Sequence, residues 1–164
     1  MNFTAVNHIG FAVADLERSV RFYSGLFDEP PYFDEIYDVE YIGRIVGYPG
    51  AIQHAAFFRL PGQPEMFLEL IQYLRPEAGI VDMESYNAGN AHLCLVCSDL
   101  VAEFERIKKL GGEFRSGSPV TSDYGVYEGA RTAYFRDPDG ISIQLVELKE
   151  GMDPAGHGSP ALKG

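Results

Sequence analysis

Four polar residues stand where a strand-rich chain would otherwise place apolar ones. His8 lies within VNHIGF, Glu69 within FLELIQ, His92 within NAHLCL and Gln144 within ISIQLV. Strand alternation gives each a face. His8 shares its side with Gly10 and Ala12, and His92 with Cys94 and Val96. Glu69 lies between Phe67 and Ile71, and Gln144 between Ser142 and Val146. Two imidazoles, one carboxylate and one carboxamide oxygen form a reasonable ligand set for a divalent metal of intermediate softness. A lone histidine in a strand is more often a hydrogen-bonded or edge residue. Here the pair recurs, and core packing gives no reason to repeat a histidine.

The elements that position them are written twice. Phe58-Arg59-Leu60-Pro61 matches Phe135-Arg136-Asp137-Pro138, and Leu68-Glu69-Leu70-Ile71 matches Ile143-Gln144-Leu145-Val146. His8 and His92 are 84 positions apart, Glu69 and Gln144 75, so the intervening loops differ by nine residues. Residues 5–13 and 91–97 read as strands. Asp15 and Asp99 are placed to cap helices. Leu16, Val20, Tyr23 and Phe27 line the first, and Phe104, Ile107 and Leu110 the second, which stops at Gly111-Gly112. Residues 53–60 and 65–73 form strands around a Pro-Gly-Gln-Pro turn, and 130–136 and 141–148 around Asp137-Pro138-Asp139-Gly140. Residues 113–115 add a short strand. In 34–48, Ile36, Val39, Tyr41, Ile42 and Ile45 fit one face of a short, glycine-weakened helix.

The expected fold class is α+β, with two paired βαβββ modules forming a half-open barrel around a metal cleft. The expected divisions are a first module at 1–74, a linker at 75–89, a second module at 90–150 and a disordered tail at 151–164 that leaves His157 solvated. A formal net charge of −11 repels phosphate backbones and anionic lipid, which disfavours nucleic-acid and membrane partners. No stretch has the length and apolarity of a membrane span. Two cysteines make no disulfide framework, and the N-terminal residues carry no secretory pattern, so a cytoplasmic location is expected. Cys94 and Cys97, three apart on a strand, face opposite sides, which argues against a redox pair. His54 precedes the buried-looking run 55–58 and reads as structural.

In NHIGFAVADLERSVRFY, FLELIQY, NAHLCLVCSDL and YFRDPDGISIQLVE, residues 5–148 resemble the vicinal oxygen chelate superfamily. That superfamily includes glyoxalase I, methylmalonyl-CoA epimerase, extradiol ring-cleaving dioxygenases and antibiotic-resistance proteins such as the bleomycin resistance protein. The resemblance implies paired βαβββ modules, metal ligands at His8, Glu69, His92 and Gln144, a small-molecule substrate and a homodimer. Gln144 departs from the family, which usually has glutamate there, and glutamine serves as a ligand in some similar glyoxalases. Glu147 faces the opposite side and does not replace it. The implied cofactor is a divalent ion (Ni, Co, Mn, Zn or Fe). The implied reaction is that of a glyoxalase- or epimerase-like lyase or isomerase. It moves a proton through a metal-bound enediolate, with Glu69 as general base. Two alternatives stand beside it. One is an Fe(II) extradiol-type dioxygenase using His8, His92 and Glu69. The other is a non-catalytic protein that sequesters an aromatic or antibiotic ligand, with Tyr41, Tyr48, Tyr124 and Tyr127 as walls. Cys94 is a candidate pocket residue, and Tyr127 lies in a glycine-flanked segment suited to a lid. Arg131 and Arg59 are candidate partners for a substrate carboxylate.

Overall fold

A computed structural model describes residues 2–152. The tail expected at 151–164, with His157, therefore falls outside the described residues from 153 onward. The chain divides into two compact units between Asp82 and Met83. Each is an open sheet with a helix packed on one face, so the fold class is α+β.

In the first unit, strands β1 (His8–Ala12), β2 (Phe33–Tyr37), β3 (Ile52–Leu60) and β4 (Gln63–Arg75) form one sheet in the order β1-β4-β3-β2. The first strand runs parallel to the last, and the other pairings are antiparallel. Helix α1 (Leu16–Phe27) covers one face of the sheet. Tyr23 and Phe27 lie against Phe58, above fully buried Leu16, Leu68 and Leu70. As the alternation requires, Phe11 and Val13 are buried on that side; Ile9, at the sheet edge, is only partly covered. Removing such apolar surface from water is the main stabilising term.

Residues 34–48 differ from their sequence expectation. Ile36 belongs to the edge strand β2, and helix α2 starts only at Glu40 and ends at Val46. Asp34 and Glu35 hide this strand from a hydrophobic pattern, because an edge strand keeps charges in solvent. Gly43 lets α2 fold back on the following turn. A Cβ there would come within 2.9 Å of the Tyr48 carbonyl oxygen.

The second unit repeats the plan. Strands β5 (His92–Val96), β6 (Glu113–Phe114), β7 (Val120–Thr121), β8 (Arg131–Arg136) and β9 (Ser142–Glu147) order as β5-β9-β8-β6, with β7 also on β8. Again the first strand is parallel to the last. Helix α3 (Leu100–Lys109) buries Leu100, Phe104 and Ile107 against Phe114, Phe135 and Ile143. It stops at Gly111, where φ is +96°, and Gly112 passes so close to Ile107 that a Cβ would sit 2.4 Å from its Cγ2. The DPDG turn is held from within. Buried Asp137 accepts the backbone N–H groups of Asp139 (2.9 Å) and Ile141 (2.7 Å). Residues 76–91 contain neither helix nor strand. Within the second unit, Glu84 pairs with Arg115 at 3.0 Å and Arg136 at 3.3 Å.

One latch appears in both units. Asp15 and Asp99 cap their helices by accepting the N–H groups of Arg18 (2.9 Å) and Ala102 (3.0 Å). The last strand then reaches the same helix end. Gln72 Oε1 accepts the Leu16 N–H at 3.0 Å, and its amide donates to the Ala14 carbonyl at 3.0 Å. Glu147 Oε2 accepts the Leu100 N–H at 2.7 Å. Arg131, expected as a substrate-binding cation, lies on this helix-packed face and is held by Glu147 in a bidentate ion pair. The Arg131 hydrogen bond, followed by that from Leu100, holds the Glu147 carboxyl below its ordinary range.

Two outcomes follow for stability. Gln72→Ala should cost about 1–2 kcal/mol, seen as a lower urea midpoint with unchanged slope; an unmoved midpoint would mean the latch carries no stability. Because folding lowers the Glu147 pKa, its contribution is complete at neutral pH and fades as pH falls through the folded value. Glu147→Gln should therefore destabilise at neutral pH and show a smaller loss on acidification than the wild type, measured by urea titration at both pH values.

Candidate metal centre

The register of each parallel strand pair sets the site. In the first unit Gly10 lies opposite Glu69, and His8, two residues earlier on the same face, reaches across to it. His8 Nε2 comes within 3.2 Å of Glu69 Oε2. The other ring nitrogen, Nδ1, is 2.8 Å from Asn7 Oδ1. With its proton on Nδ1, donated to Asn7, the ring would have Nε2 available to a cation beside the carboxylate, the arrangement of a metal-ligating histidine whose second nitrogen is anchored.

The surroundings of Glu69 are largely apolar. Phe57, on β3, is its direct strand partner and meets the His8 ring edge-on, with centroids 5.9 Å apart. Ala55 and Ile71 pair one step further along the same face. The Glu69 side chain keeps only 17% of its exposure. Burial pushes its carboxyl above the ordinary value, an effect His8 partly offsets. Tyr37, on β2 across from Gln53, shares this face. Its phenol is pushed up by burial first, then by Glu35 and Glu69.

The second unit shows the same geometry with different chemistry. Cys94 lies opposite Gln144, and His92 is again two residues earlier. The aromatic partner from the third position of the sheet is now Tyr134, edge-on to His92 with centroids 5.3 Å apart. It differs from Phe57 by a hydroxyl, and that hydroxyl is used. Tyr134 donates to Gln144 Oε1 at 2.9 Å and stands 3.4 Å from His92 Nε2. The other end of the Gln144 amide donates to Thr132 Oγ1 at 3.2 Å. An imidazole nitrogen and an amide oxygen thus approach one hydroxyl.

The structure therefore brings His8 to Glu69 and His92 to Gln144. Within neither unit do three or more His, Cys, Asp or Glu side chains cluster among the described residues. Cys94 shares the face of His92, where burial raises its thiol pKa; Cys97 is pushed up to about 11 by burial and then by Glu103, Glu147 and Asp99. Both are free thiols. Tyr127, in a 3-10 turn at Gly125–Tyr127, is close enough to Tyr134 to raise its pKa, after burial and Cys94. Tyr41, Tyr48 and Tyr124 are exposed. Arg59 is on the His8 face, its guanidinium 3.9 Å above the Tyr32 ring. His54 is on the opposite face, paired with Asp34 at 2.6 Å.

Sequence reading missed Tyr37, Thr132 and Tyr134. The repeat offered a signal for Tyr134: aligning Phe58 with Phe135 puts it against Phe57, and a hydroxyl gained at one of two equivalent positions marks a polar task.

Comparison with known proteins agrees with this architecture. Over 150 residues, covering 90% of this chain and 81% of the relative, the sequence is 27% identical to a 2-epi-5-epi-valiolone epimerase from an Actinomyces species. It is 29% identical over 155 residues to a lactoylglutathione lyase of Salmonella typhimurium, covering 87% of this chain and 92% of the enzyme. The fold superposes on the crystal structure of a glyoxalase family protein from Bacillus cereus with a TM-score of 0.77 at 20% identity, covering 90% and 96% of the two chains. Residues 5–145 match the family model described as Glyoxalase/Bleomycin resistance protein/Dioxygenase superfamily, and the chain belongs to that superfamily.

Proposed function

We propose that this protein is a divalent-metal-dependent enzyme that moves a proton between adjacent carbons of a small oxygenated substrate, as a lyase or isomerase. In this reading His8, Glu69, His92 and Gln144 hold one ion, and Glu69 is the general base. The relatives named as an epimerase and a lactoylglutathione lyase support the reaction class.

The observation that carries the assignment is the unequal treatment of two equivalent positions. Glu69 is flanked on its face by Phe57, Ala55 and Ile71, and its carboxylate meets His8 at 3.2 Å. A carboxylate so placed keeps an oxygen free to take a proton and gives little of its basicity away to hydrogen-bond donors. Gln144 has no proton to exchange in this range and is fixed at both ends by Tyr134 and Thr132. One position is built to react, and the other to hold still.

The ion would supply electrostatic polarisation of a substrate oxygen, which lowers the cost of losing the proton on the neighbouring carbon. With two neutral imidazoles, one carboxylate and one amide, the set leaves a divalent ion about one positive charge. The protein's own part is to orient and to transfer. Glu69 accepts the proton from one carbon and returns it to the next, while Phe57 and Ile71 restrict water around it. Cys94 and Tyr127 stand beside Tyr134 and bound the substrate on the His92 side.

Glu69→Gln keeps an oxygen donor and removes the base. It should lower kcat about 100- to 10,000-fold while still taking up metal, measured in lactoylglutathione lyase and 2-epi-5-epi-valiolone epimerase assays beside metal analysis. Unchanged turnover would remove Glu69 from its role. Chelation should abolish wild-type activity, and re-addition of Ni(II), Co(II), Mn(II) or Zn(II) should restore it. Substrate-dependent oxygen uptake requiring Fe(II) would instead establish the ring-cleaving reading. Tight ligand binding with neither turnover nor metal uptake would establish a sequestering protein.

A further inference from the structure

Gln144 poses a problem that a glutamate in its place would not. A carboxylate offers an acceptor at either oxygen, but a carboxamide offers one only if its oxygen, not its NH2, faces the ion. The two orientations are nearly equal in shape, so packing alone does not choose between them. A hydrogen-bond partner with a fixed role must do so.

Thr132 has such a role. It lies on β8, one pair along from Tyr134, on the same face as Gln144. Its hydroxyl carries one proton, which it donates to the Leu145 backbone carbonyl at 3.0 Å. With that proton committed, Thr132 Oγ1 meets the Gln144 side chain as an acceptor. The group 3.2 Å away must then be the amide NH2, and the Gln144 oxygen is turned towards Tyr134 and His92. The Tyr134 hydroxyl acts in the same sense at the other end by donating to Oε1. A tyrosine hydroxyl can equally accept a proton, so Tyr134 alone would tolerate either orientation. Thr132 would not.

We infer that Thr132 is a positioning residue that fixes the Gln144 amide with its oxygen towards the site and so makes glutamine usable as a ligand. The inference rests on the metal reading above for its purpose, but not for its geometry. The equivalent position beside Glu69 in the first unit is Ala55, which has no hydroxyl and stands beside a residue that needs no orienting.

The test is a double-mutant cycle read as Ni(II) affinity, by competition against a chelating dye, with proton NMR of the metal-free protein. In the Gln144 background, Thr132→Val should weaken Ni(II) binding about 10- to 100-fold, the range for loss of a group that orients a metal ligand. Thr132→Ser should restore wild-type affinity. In the Gln144→Glu background, Thr132→Val should leave affinity unchanged, because either carboxylate oxygen serves. Equal weakening in both backgrounds, or none in either, would overturn the inference. In the wild type without metal, the Gln144 NH2 protons should show stronger cross-relaxation to the Thr132 methyl than to the Tyr134 ring. The reverse pattern would overturn the inference without any variant having to fold. If the wild type shows the expected NMR pattern yet takes up no Ni(II), the metal reading fails and the orientation by Thr132 stands.

Discussion

The register between the first and last strand of each unit is the constraint on which the site depends. Gly10 opposite Glu69 and Cys94 opposite Gln144 are equivalent pairings, and each leaves a histidine two residues back on the same face. A slip of one residue would send every one of these side chains into the helix layer. Parallel pairs have no tight turn to fix their alignment, so something else must hold it. Gln72 and Glu147 lie three positions beyond Glu69 and Gln144, face the other way, and bind the first N–H of the helix that follows the partner strand. The strand that carries a candidate ligand is thereby tied to the element that leaves the histidine strand.

Within that shared frame the two halves differ in what surrounds the paired positions. Phe57 and Ala55 beside Glu69 are replaced by Tyr134 and Thr132 beside Gln144. Apolar neighbours suit a carboxylate that is to remain basic, and hydroxyl neighbours suit an amide that must be oriented. These supporting residues are in keeping with the division of labour proposed between base and holding ligand. In the proposed reading, an amide at Gln144 would leave a bound ion more electropositive than a second carboxylate would.

Much of this was legible from the chain because duplication repeats signals that are weak when single. His8 and His92 would each have been dismissed alone, and the repeated Asp-Leu after each strand marked both helix starts. What the sequence hid has physical reasons. Strand β2 carries Asp34 and Glu35 because it is an edge, so its alternation is masked. Tyr37 was hidden with it. Arg131 looked like a free cation at a strand end, but its face is set by its pairing opposite Glu147, which alternation on one strand does not reveal. Thr132 resembled an ordinary β-former. Its importance arises only from which proton it has already donated.

In the proposed reading, one ion collects both histidines. X-ray absorption at the Ni or Co edge of the loaded protein tests it directly, because the outer-shell scattering of imidazole counts rings per metal. The account requires two imidazoles per ion, with oxygen donors completing the shell and no sulfur from Cys94. A spectrum with a single ring, or with none, would contradict it.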